Sequence, residues 1–159
     1  MKRLALLAAA LAFVVTPVTH AADPMDPQLK EKARRAIDAG LHYLRGAQAE
    51  NGSMSGSVGI TALSLRAFLE SHRGYNEADG AFVTKQVDFI LSKVNDDGSI
   101  CETLQNRSYN TAVALTALAA TKNPKYAGTI TNAQKYLKGE QIDEKEGYKP
   151  DHRYYGGIG

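Results

Sequence analysis

The feature that most constrains this chain of 159 residues is a segment that occurs three times. Each copy has an aromatic residue one or two positions before a leucine, an amide side chain four residues after it, and then a glycine. The same spacing of several residue types in three places indicates a repeat protein. The aligned residues are Tyr43, Leu44, Gln48 and Gly52 in the first copy, Phe89, Leu91, Asn95 and Gly98 in the second, and Tyr136, Leu137, Gln141 and Gly147 in the third.

A second segment follows the first two copies and repeats as well. It begins at Ser57 in one case and at Ser108 in the other, with Thr61 and Thr111 aligned. The aligned leucines of the preceding copies are 47 residues apart and the threonines 50, so we expect the second connecting loop to be three residues longer. The repeating unit therefore has two halves, joined by a loop that contains the glycine.

Hydrophobic periodicity predicts that both halves are helical. Asp26 is a suitable N-cap, Pro27 suits the first helical position, and apolar residues then recur every three or four positions up to Leu44. Similar amphipathic faces occur at 83–94 and 126–137, whereas the helices predicted near 57–71 and 108–122 are apolar nearly all round. Because amphipathic outer helices alternate with apolar inner helices, we predict an all-α fold. Its arrangement would be an α/α toroid or solenoid of helical hairpins, equivalent to a partial α6/α6 barrel.

The repeat pattern ends on an outer helix. No third apolar helix follows it before Gly159, so residues 22–159 are expected to form a helical repeat domain of about two and a half hairpins. Each hairpin of such an array is covered by its neighbours. We therefore expect a chain truncated at its C-terminal end, or self-association if the chain is complete.

Residues 1–21 have the layout of a secretory signal peptide. Lys2 and Arg3 precede an uncharged run from Leu4 to Val15, and small residues then lead to a predicted cleavage site after Ala21. An uncleaved N-terminal anchor is the alternative, although this apolar run is short for a bilayer span. We expect an exported protein, periplasmic or secreted, with no stable membrane span after cleavage.

Charge and cysteine content narrow the function classes. Without residues 1–21 the chain has 17 basic and 17 acidic residues, and this neutral balance argues against a nucleic-acid partner. Cys101 is the single cysteine, so no intrachain disulfide can form even in an exported protein. Stability must therefore come from core packing.

The stretch from Tyr43 to Met54 resembles the QW repeat of squalene-hopene cyclases and related triterpene cyclases, which have relatives among the protein prenyltransferase β subunits. The similarity covers nearly all of the chain from about residue 26. In that family a glutamine and an aromatic residue tie the end of an outer helix to the following loop. This chain has no tryptophan, and by position the resemblance assigns these roles to Gln48 with Met54, Asn95 with Ile100, and Gln141 with Tyr148.

Asp96 and Asp97 are the candidate catalytic residues. The bacterial cyclases of the family protonate their substrate with an Asp-x-Asp-Asp motif, and residues 94–97 keep its last two aspartates but have valine in the first place. The alternative is that both aspartates belong to a turn before Gly98, because acidic and amide residues beside glycine favour turns. The first copy has Glu50 and Asn51 at the same place, which favours the turn.

Metal ligands are the second chemistry that the resemblance suggests. The prenyltransferases bind zinc through Asp, Cys and His, with one residue between the first two. Here three residues separate Asp97 from Cys101, although a zinc site built from these two and His152 is chemically reasonable. Because the spacing departs from the family pattern, we predict no metal site and no cofactor.

Tyrosines in the segments between outer and inner helices are the candidate ligand-binding residues. In a toroid these segments gather at one end of the central cavity, where tyrosine rings can stack on sugars or stabilise a carbocation. The alternative is that they cover the exposed ends of hairpins. The candidates are Tyr109, Tyr148, Tyr154 and Tyr155.

Three function hypotheses follow from the sequence. The first is an exported squalene-cyclase/prenyltransferase-like repeat protein that acts as a binding or scaffold module for a small-molecule or carbohydrate ligand. The second is a terpene-cyclase-like isomerase or transferase whose acid lies in a missing C-terminal half. The third is a secreted polysaccharide lyase or hydrolase of the α/α-toroid type, by fold analogy alone. Whether the chain is an enzyme stays open at this point.

Overall fold

The computed structural model describes residues 25–158, and these form five α-helices, three short 3-10 helices and no strand. The predicted all-α class is confirmed, whereas the predicted signal peptide, residues 1–21, lies outside the described residues. The helices are α1 (Pro27–Ala47), α2 (Val58–Glu70), α3 (Ala81–Leu91), α4 (Arg107–Ala120) and α5 (Ala127–Gly139), and the 3-10 helices span Glu77–Asp79, Pro124–Tyr126 and Glu144–Glu146.

Side-chain caps explain where the first two helices begin. Asp26 accepts hydrogen bonds from the backbone N–H groups of Gln28 and Leu29, at 2.7 and 3.1 Å, and Pro27 occupies the first turn as predicted. The Ser57 hydroxyl accepts from the N–H of Ile60 at the start of α2. These bonds satisfy N–H groups that have no partner inside their helix.

The apolar helices α2 and α4 pack against each other and form the centre of the core. Leu65 and Phe68 of α2 and Leu118 of α4 are almost completely buried. The absence of a side chain at Gly59 makes room for Asn110 of α4: a Cβ atom on Gly59 would lie 2.7 Å from Oδ1 of Asn110. Helix α3 packs against α2, and α5 packs against α4.

The two inner helices run in the same direction. Gly59 and Asn110, which are in contact, both lie in the first turn of their helices. Beyond the other ends, Glu77 accepts hydrogen bonds from Tyr126 at 2.7 Å and from Asn123 at 2.9 Å. Burial, together with the Glu77 hydrogen bond, raises the pKa of Tyr126 to about 12. Parallel inner helices place the segments that precede α2 and α4 at one end of the molecule.

The outer helix α1 is much less buried than α3. Leu41 is its single buried residue, and Leu29 and Ile37 on its predicted apolar face are 56% and 45% exposed. The corresponding face of α3 contains Val83 and Ile90, both fully buried against the core. Periodicity therefore identified the apolar face of α1 but not its exposure. Within residues 25–158, no helix is both long and apolar enough to cross a bilayer.

Candidate functional site

Loop 1, residues 48–57, joins α1 to α2 and has a characteristic set of hydrogen bonds. The N–H of Ala49 donates to the carbonyl of Ser53, and the N–H of Gly52 donates to the carbonyl of Ala49, each at 2.9 Å. Oδ1 of Asn51 accepts from the backbone and the hydroxyl of Ser53. Gly52 has φ +89°, a left-handed conformation that favours glycine. The loop is therefore a closed turn that hydrogen bonds among its own residues hold together.

Loop 2, residues 92–106, joins α3 to α4 and repeats these bonds. The N–H of Asn95 donates to the carbonyl of Ser99, and the N–H of Gly98, with φ +88°, donates to the carbonyl of Asn95. Oδ1 of Asp97 takes the place of the Asn51 amide oxygen and accepts from the backbone and hydroxyl of Ser99, at 3.0 and 2.7 Å. Asp97 is thus a turn residue in the second copy of the loop.

Each of these loops is anchored to its inner helix by a threonine. The Thr61 hydroxyl accepts from the buried N–H of Met54 at 2.8 Å, and the Thr111 hydroxyl accepts from that of Ile100 at 2.9 Å. The predicted equivalence of the two threonines is therefore correct. Met54 and Thr61 are seven positions apart, whereas Ile100 and Thr111 are eleven apart. The segment between the turn and the threonine is therefore four residues longer in the second copy, rather than the three expected.

The hydrogen bonds also correct the predicted alignment of the amide residues. Asn95 has the backbone bonds of Ala49, so the position of Gln48 corresponds to Val94 in the second copy. Gln48 donates through Nε2 to the carbonyl of Gly52, at 3.1 Å, and to that of Phe82 in the first turn of α3, at 3.2 Å. The bond to the next outer helix therefore belongs to Gln48. Asn95 makes bonds to its own loop, because its Nδ2 donates to the carbonyls of Lys93, Ser99 and Cys101, each at 3.4 Å.

Loop 3, residues 140–158, follows α5 and contains the third copy, in a register that the sequence did not predict. The N–H of Ile142 donates to the carbonyl of Gly157, and the N–H of Gly156 donates to the carbonyl of Ile142, each at 2.8 Å. Gln141 donates through Nε2 to the carbonyl of Gly156, which has φ +78°. Gly156 and Ile158, rather than Gly147 and Tyr148, are therefore the counterparts of Gly98 and Ile100.

The mistaken register has a physical cause. Thirteen residues, 143–155, separate Ile142 from Gly156, whereas two separate Asn95 from Gly98. This insertion contains the 3-10 helix Glu144–Glu146, which Asp143 caps, and Gly147 ends it with φ +83°. Gly147 terminates a local helix, so its spacing from Gln141 resembled the repeat by coincidence.

The electrostatic environment of Asp97 makes it a poor proton donor. Hydrogen bonds from Ser99 and the positive charge of Arg107 lower the pKa of Asp97, and Arg107 also forms an ion pair with its Oδ2. A carboxyl group whose pKa is lowered stays ionised and accepts hydrogen bonds. Asp96 is exposed beside it, on a polar cavity of about 500 Å³ between loop 2 and α5 that Lys135 and Glu140 also line.

Cys101 lies inside loop 2 and not in a ligand cluster. It is buried, and its Sγ lies 3.5 Å from Nδ2 of Asn95. His152 lies in the loop 3 insertion between the rings of Tyr148 and Tyr154. Among the described residues, no three His, Cys, Asp or Glu side chains come together as a metal site.

The four candidate tyrosines occupy different surroundings. Tyr148 and Tyr154 pack on the ring of His152, with centroids 4.7 and 5.4 Å from it. Tyr155 donates to Oε1 of Glu144 at 2.8 Å, and this hydrogen bond raises its pKa. Three of the four candidate tyrosines thus make their contacts with other residues of the loop 3 insertion.

Tyr109 is the candidate tyrosine that lines a cavity. It lies in the first turn of α4, its side chain is 56% exposed, and the cavity beside it has a volume of about 450 Å³. Two exposed apolar residues, Leu104 at 80% and Ile158 at 54%, line the same cavity. Asn106, Arg107, Ser108 and Glu140 contribute its polar wall.

Glu102 is a residue of this end that sequence reasoning missed. Its Oε2 accepts from the N–H of Val58, the first residue of α2, at 3.2 Å, and lies 3.5 Å from Nδ2 of Asn110. A carboxylate at a helix N-terminus is stabilised by the helix dipole. No local pattern marks this residue, because its main partner lies 44 positions earlier in the chain.

No protein-family model, curated protein or solved structure gave a significant match to this chain.

Proposed function

We propose that this chain is an exported helical-repeat protein of the α/α-toroid type that acts as a binding module, and that it holds a saccharide at the Tyr109 cavity. The observation that carries the proposal is the exposed ring of Tyr109 at the end where α2 and α4 begin. The layout of residues 1–21 supports export, and the parallel inner helices support a toroidal or solenoidal arrangement.

The lining of the cavity matches the chemistry of a sugar ring. The faces of pyranose rings carry C–H groups that pack on aromatic rings, and Tyr109 with its neighbours Leu104 and Ile158 supplies an apolar surface. Hydroxyl groups at the ring edge need donors and acceptors, and Arg107 and Glu140 supply one of each kind. A volume of about 450 Å³ is within the range of small-molecule sites.

Binding is favoured over acid catalysis by the pKa of Asp97, one of the two candidate catalytic residues. Hydrogen bonds from Ser99 and the positive charge of Arg107 lower this pKa. Protonation of an alkene or a glycosidic oxygen needs a carboxyl group that keeps its proton near neutral pH. Asp97 therefore gives no support to the cyclase or hydrolase hypotheses.

The test is a titration of the protein with two soluble oligosaccharides, one neutral glucan and one pectin-derived uronate oligomer, followed by calorimetry and by NMR. We expect at least one of them to bind and to shift resonances of loop 2 and of the first turn of α4. Tyr109→Ala should weaken binding roughly two- to tenfold, the range for an aromatic contact, whereas Tyr109→Phe should retain most of it.

Tyr43→Ala is the matched control, because Tyr43 is also exposed, at 72%, but lies on α1. It should leave the affinity unchanged. If neither oligosaccharide binds at millimolar concentration, or if Tyr43→Ala weakens binding as much as Tyr109→Ala, the proposed site is wrong.

A further inference from the structure

The Tyr109 cavity adjoins a second cavity, the polar one between loop 2 and α5. Arg107 and Glu140 line both of them. Because they share these two side chains, the cavities lie next to each other on one face of the protein. Their volumes are about 450 and 500 Å³, and each alone is within the range of a complete small-molecule site. A single sugar ring against Tyr109 would therefore leave the second cavity empty.

The two cavities offer different kinds of contact. The first contains the exposed ring of Tyr109 and the exposed side chains of Leu104 and Ile158, which pack on the apolar face of a ring. The second has no exposed aromatic ring, because its one aromatic residue, Tyr136, is buried. A sugar in the second cavity would thus be held through the hydroxyl groups at its edge. The residues that line only the second cavity include Asp96, Asp97, Asn132 and Lys135.

Three of these polar side chains are available to a ligand. Asp96, Asn132 and Lys135 are exposed, and among residues 25–158 none of their side chains forms a hydrogen bond or an ion pair. A carboxylate accepts hydrogen bonds, an ammonium group donates them, and an amide does both. This set suits sugar hydroxyl groups, each of which can donate and accept.

Arg107 separates the two cavities and is held in place from three sides. Its Nε donates to Oγ of Ser99 at 3.2 Å, and its guanidinium group forms the ion pair with Asp97. The guanidinium carbon also lies 5.2 Å from the centre of the Tyr136 ring. A side chain that is already ordered loses little entropy when a ligand binds. The guanidinium group has more N–H donors than these contacts use, so it can also bond to a ligand that passes over it.

The charges around the two cavities favour a neutral ligand. Three acidic side chains, Asp96, Asp97 and Glu140, and two basic ones, Arg107 and Lys135, line them. Asp97 and Arg107 form an ion pair, so the remaining charges are two carboxylates and one ammonium group. A chain with a carboxylate on every ring would meet more negative than positive charge, and this repulsion selects against it.

We propose that a linear, neutral oligosaccharide lies across both cavities, with one ring against Tyr109 and a later ring among Asp96, Asn132 and Lys135. This inference rests on the proposed function, because the Tyr109 cavity holds the first ring. It adds a second subsite, a minimum length and a charge class to that function. The affinity should therefore depend on chain length, which a single subsite at Tyr109 does not predict.

The experiment compares chain lengths of the same sugar. The disaccharides, tetrasaccharides and hexasaccharides derived from cellulose and from amylose are titrated by calorimetry and by NMR, with the tetramer of galacturonic acid as the charged counterpart. In the series that binds, the tetrasaccharide should bind about tenfold more tightly than the disaccharide, the gain expected from one or two further hydrogen bonds. Tetragalacturonate should bind more weakly than the neutral tetrasaccharide.

A double variant tests the second subsite. Asn132→Ala with Lys135→Ala should lower the affinity for the tetrasaccharide to about that for the disaccharide and leave the disaccharide unaffected. Gln134→Ala with Lys138→Ala is the matched control, because it removes one amide and one ammonium group from exposed positions of α5 that line neither cavity. This control should bind both lengths as the parent chain does. Helical circular dichroism checks the folding of both variants.

The outcomes separate this inference from the function on which it rests. A tetrasaccharide that binds no more tightly than the disaccharide, or a double variant that weakens both lengths equally, would overturn the second subsite. The Tyr109 site would still stand if Tyr109→Ala weakens the disaccharide. Tighter binding of tetragalacturonate would overturn the charge class. If no saccharide of any length binds, the proposed function itself is wrong.

Discussion

Loops 2 and 3 have the same pattern of backbone hydrogen bonds and differ in what surrounds them. Gly98 of loop 2 lies against the backbone of α5 and Ile100 beneath it is fully buried, whereas Gly156 of loop 3 meets its own loop and Ile158 is half-exposed. The turn therefore forms from local bonds, whether or not a helix covers it. The contact between Gly98 and the next outer helix is a separate contribution to the free energy of unfolding. Substitutions that affect one loop and not the other should measure it.

The largest expected difference is the cost of adding a methyl group to the glycine. Gly98→Ala should lower the free energy of unfolding by about 3 kcal/mol, because an unfavourable positive φ adds to the displacement of α5. Gly156→Ala has only the first of these costs and should lose about 1 kcal/mol. Urea unfolding of both variants at one pH measures the difference.

Gly98→Ala and Gly156→Ala are controls for each other, since their φ angles are +88° and +78°. Equal losses would show that the contact between Gly98 and α5 contributes nothing to stability. A larger loss at Gly156 than at Gly98 would show that loop 3 is covered in solution by another part of the protein.

The threonine anchor of loop 2 should give the next largest effect. Thr111→Val keeps the shape of the side chain but leaves the buried N–H of Ile100 without its acceptor, which should cost about 2 kcal/mol in urea unfolding. Thr116→Val is the control, because its hydroxyl bonds to the carbonyl of Val113 on the exposed side of the same helix. If both variants lose the same stability, the anchor is not what holds loop 2 on α4.

Local signals in the sequence identified most of the fold. The cap at Asp26, the five helices, and the equivalence of Thr61 and Thr111 all depend on patterns of residues close together in the chain, and the structure has each of them. The third loop was misplaced because spacing alone cannot distinguish a glycine that ends a 3-10 helix, Gly147, from one that closes the repeat turn, Gly156.

The candidate site was harder to predict than the fold, because its members come from distant segments. Tyr109 was predicted as a ligand-binding residue because it lies beside the segment that leads into α4. Glu102 contacts the start of α2, and no local pattern in the sequence marks it. Nothing in the sequence distinguished Tyr109 from Tyr148, Tyr154 and Tyr155. In the structure the last three contact His152 or Glu144 inside the insertion. These three tyrosines differ from Tyr109 because they lie in the insertion between Ile142 and Gly156. Backbone hydrogen bonds define where that insertion begins and ends, and the residue types alone do not show it.

The smallest expected effect concerns the one position at which the turn of loop 1, residues 49–54, and the turn of loop 2, residues 95–100, differ in charge. Loop 1 closes its turn with the neutral amide of Asn51, and loop 2 closes it with the carboxylate of Asp97. Hydrogen bonds from Ser99 and the charge of Arg107 lower the pKa of Asp97 in the folded state. A lowered folded-state pKa gives stability that is present above the unfolded value of about 4 and is lost as pH falls through the folded-state pKa.

Asp97→Asn should therefore make loop 2 chemically similar to loop 1 and remove this pH dependence. The wild-type chain should be more stable than the variant at pH 6, and the difference should shrink steadily as the pH falls from about 4 toward 3. The effect should be small and should decrease further with salt, because the Asp97 side chain is 43% exposed. Urea unfolding at three pH values measures it, with the exposed neighbour Asp96→Asn as the control for a change of one charge. A difference that is constant with pH would show that the carboxylate closes the turn no better than an amide, and that the two loops are interchangeable in this respect.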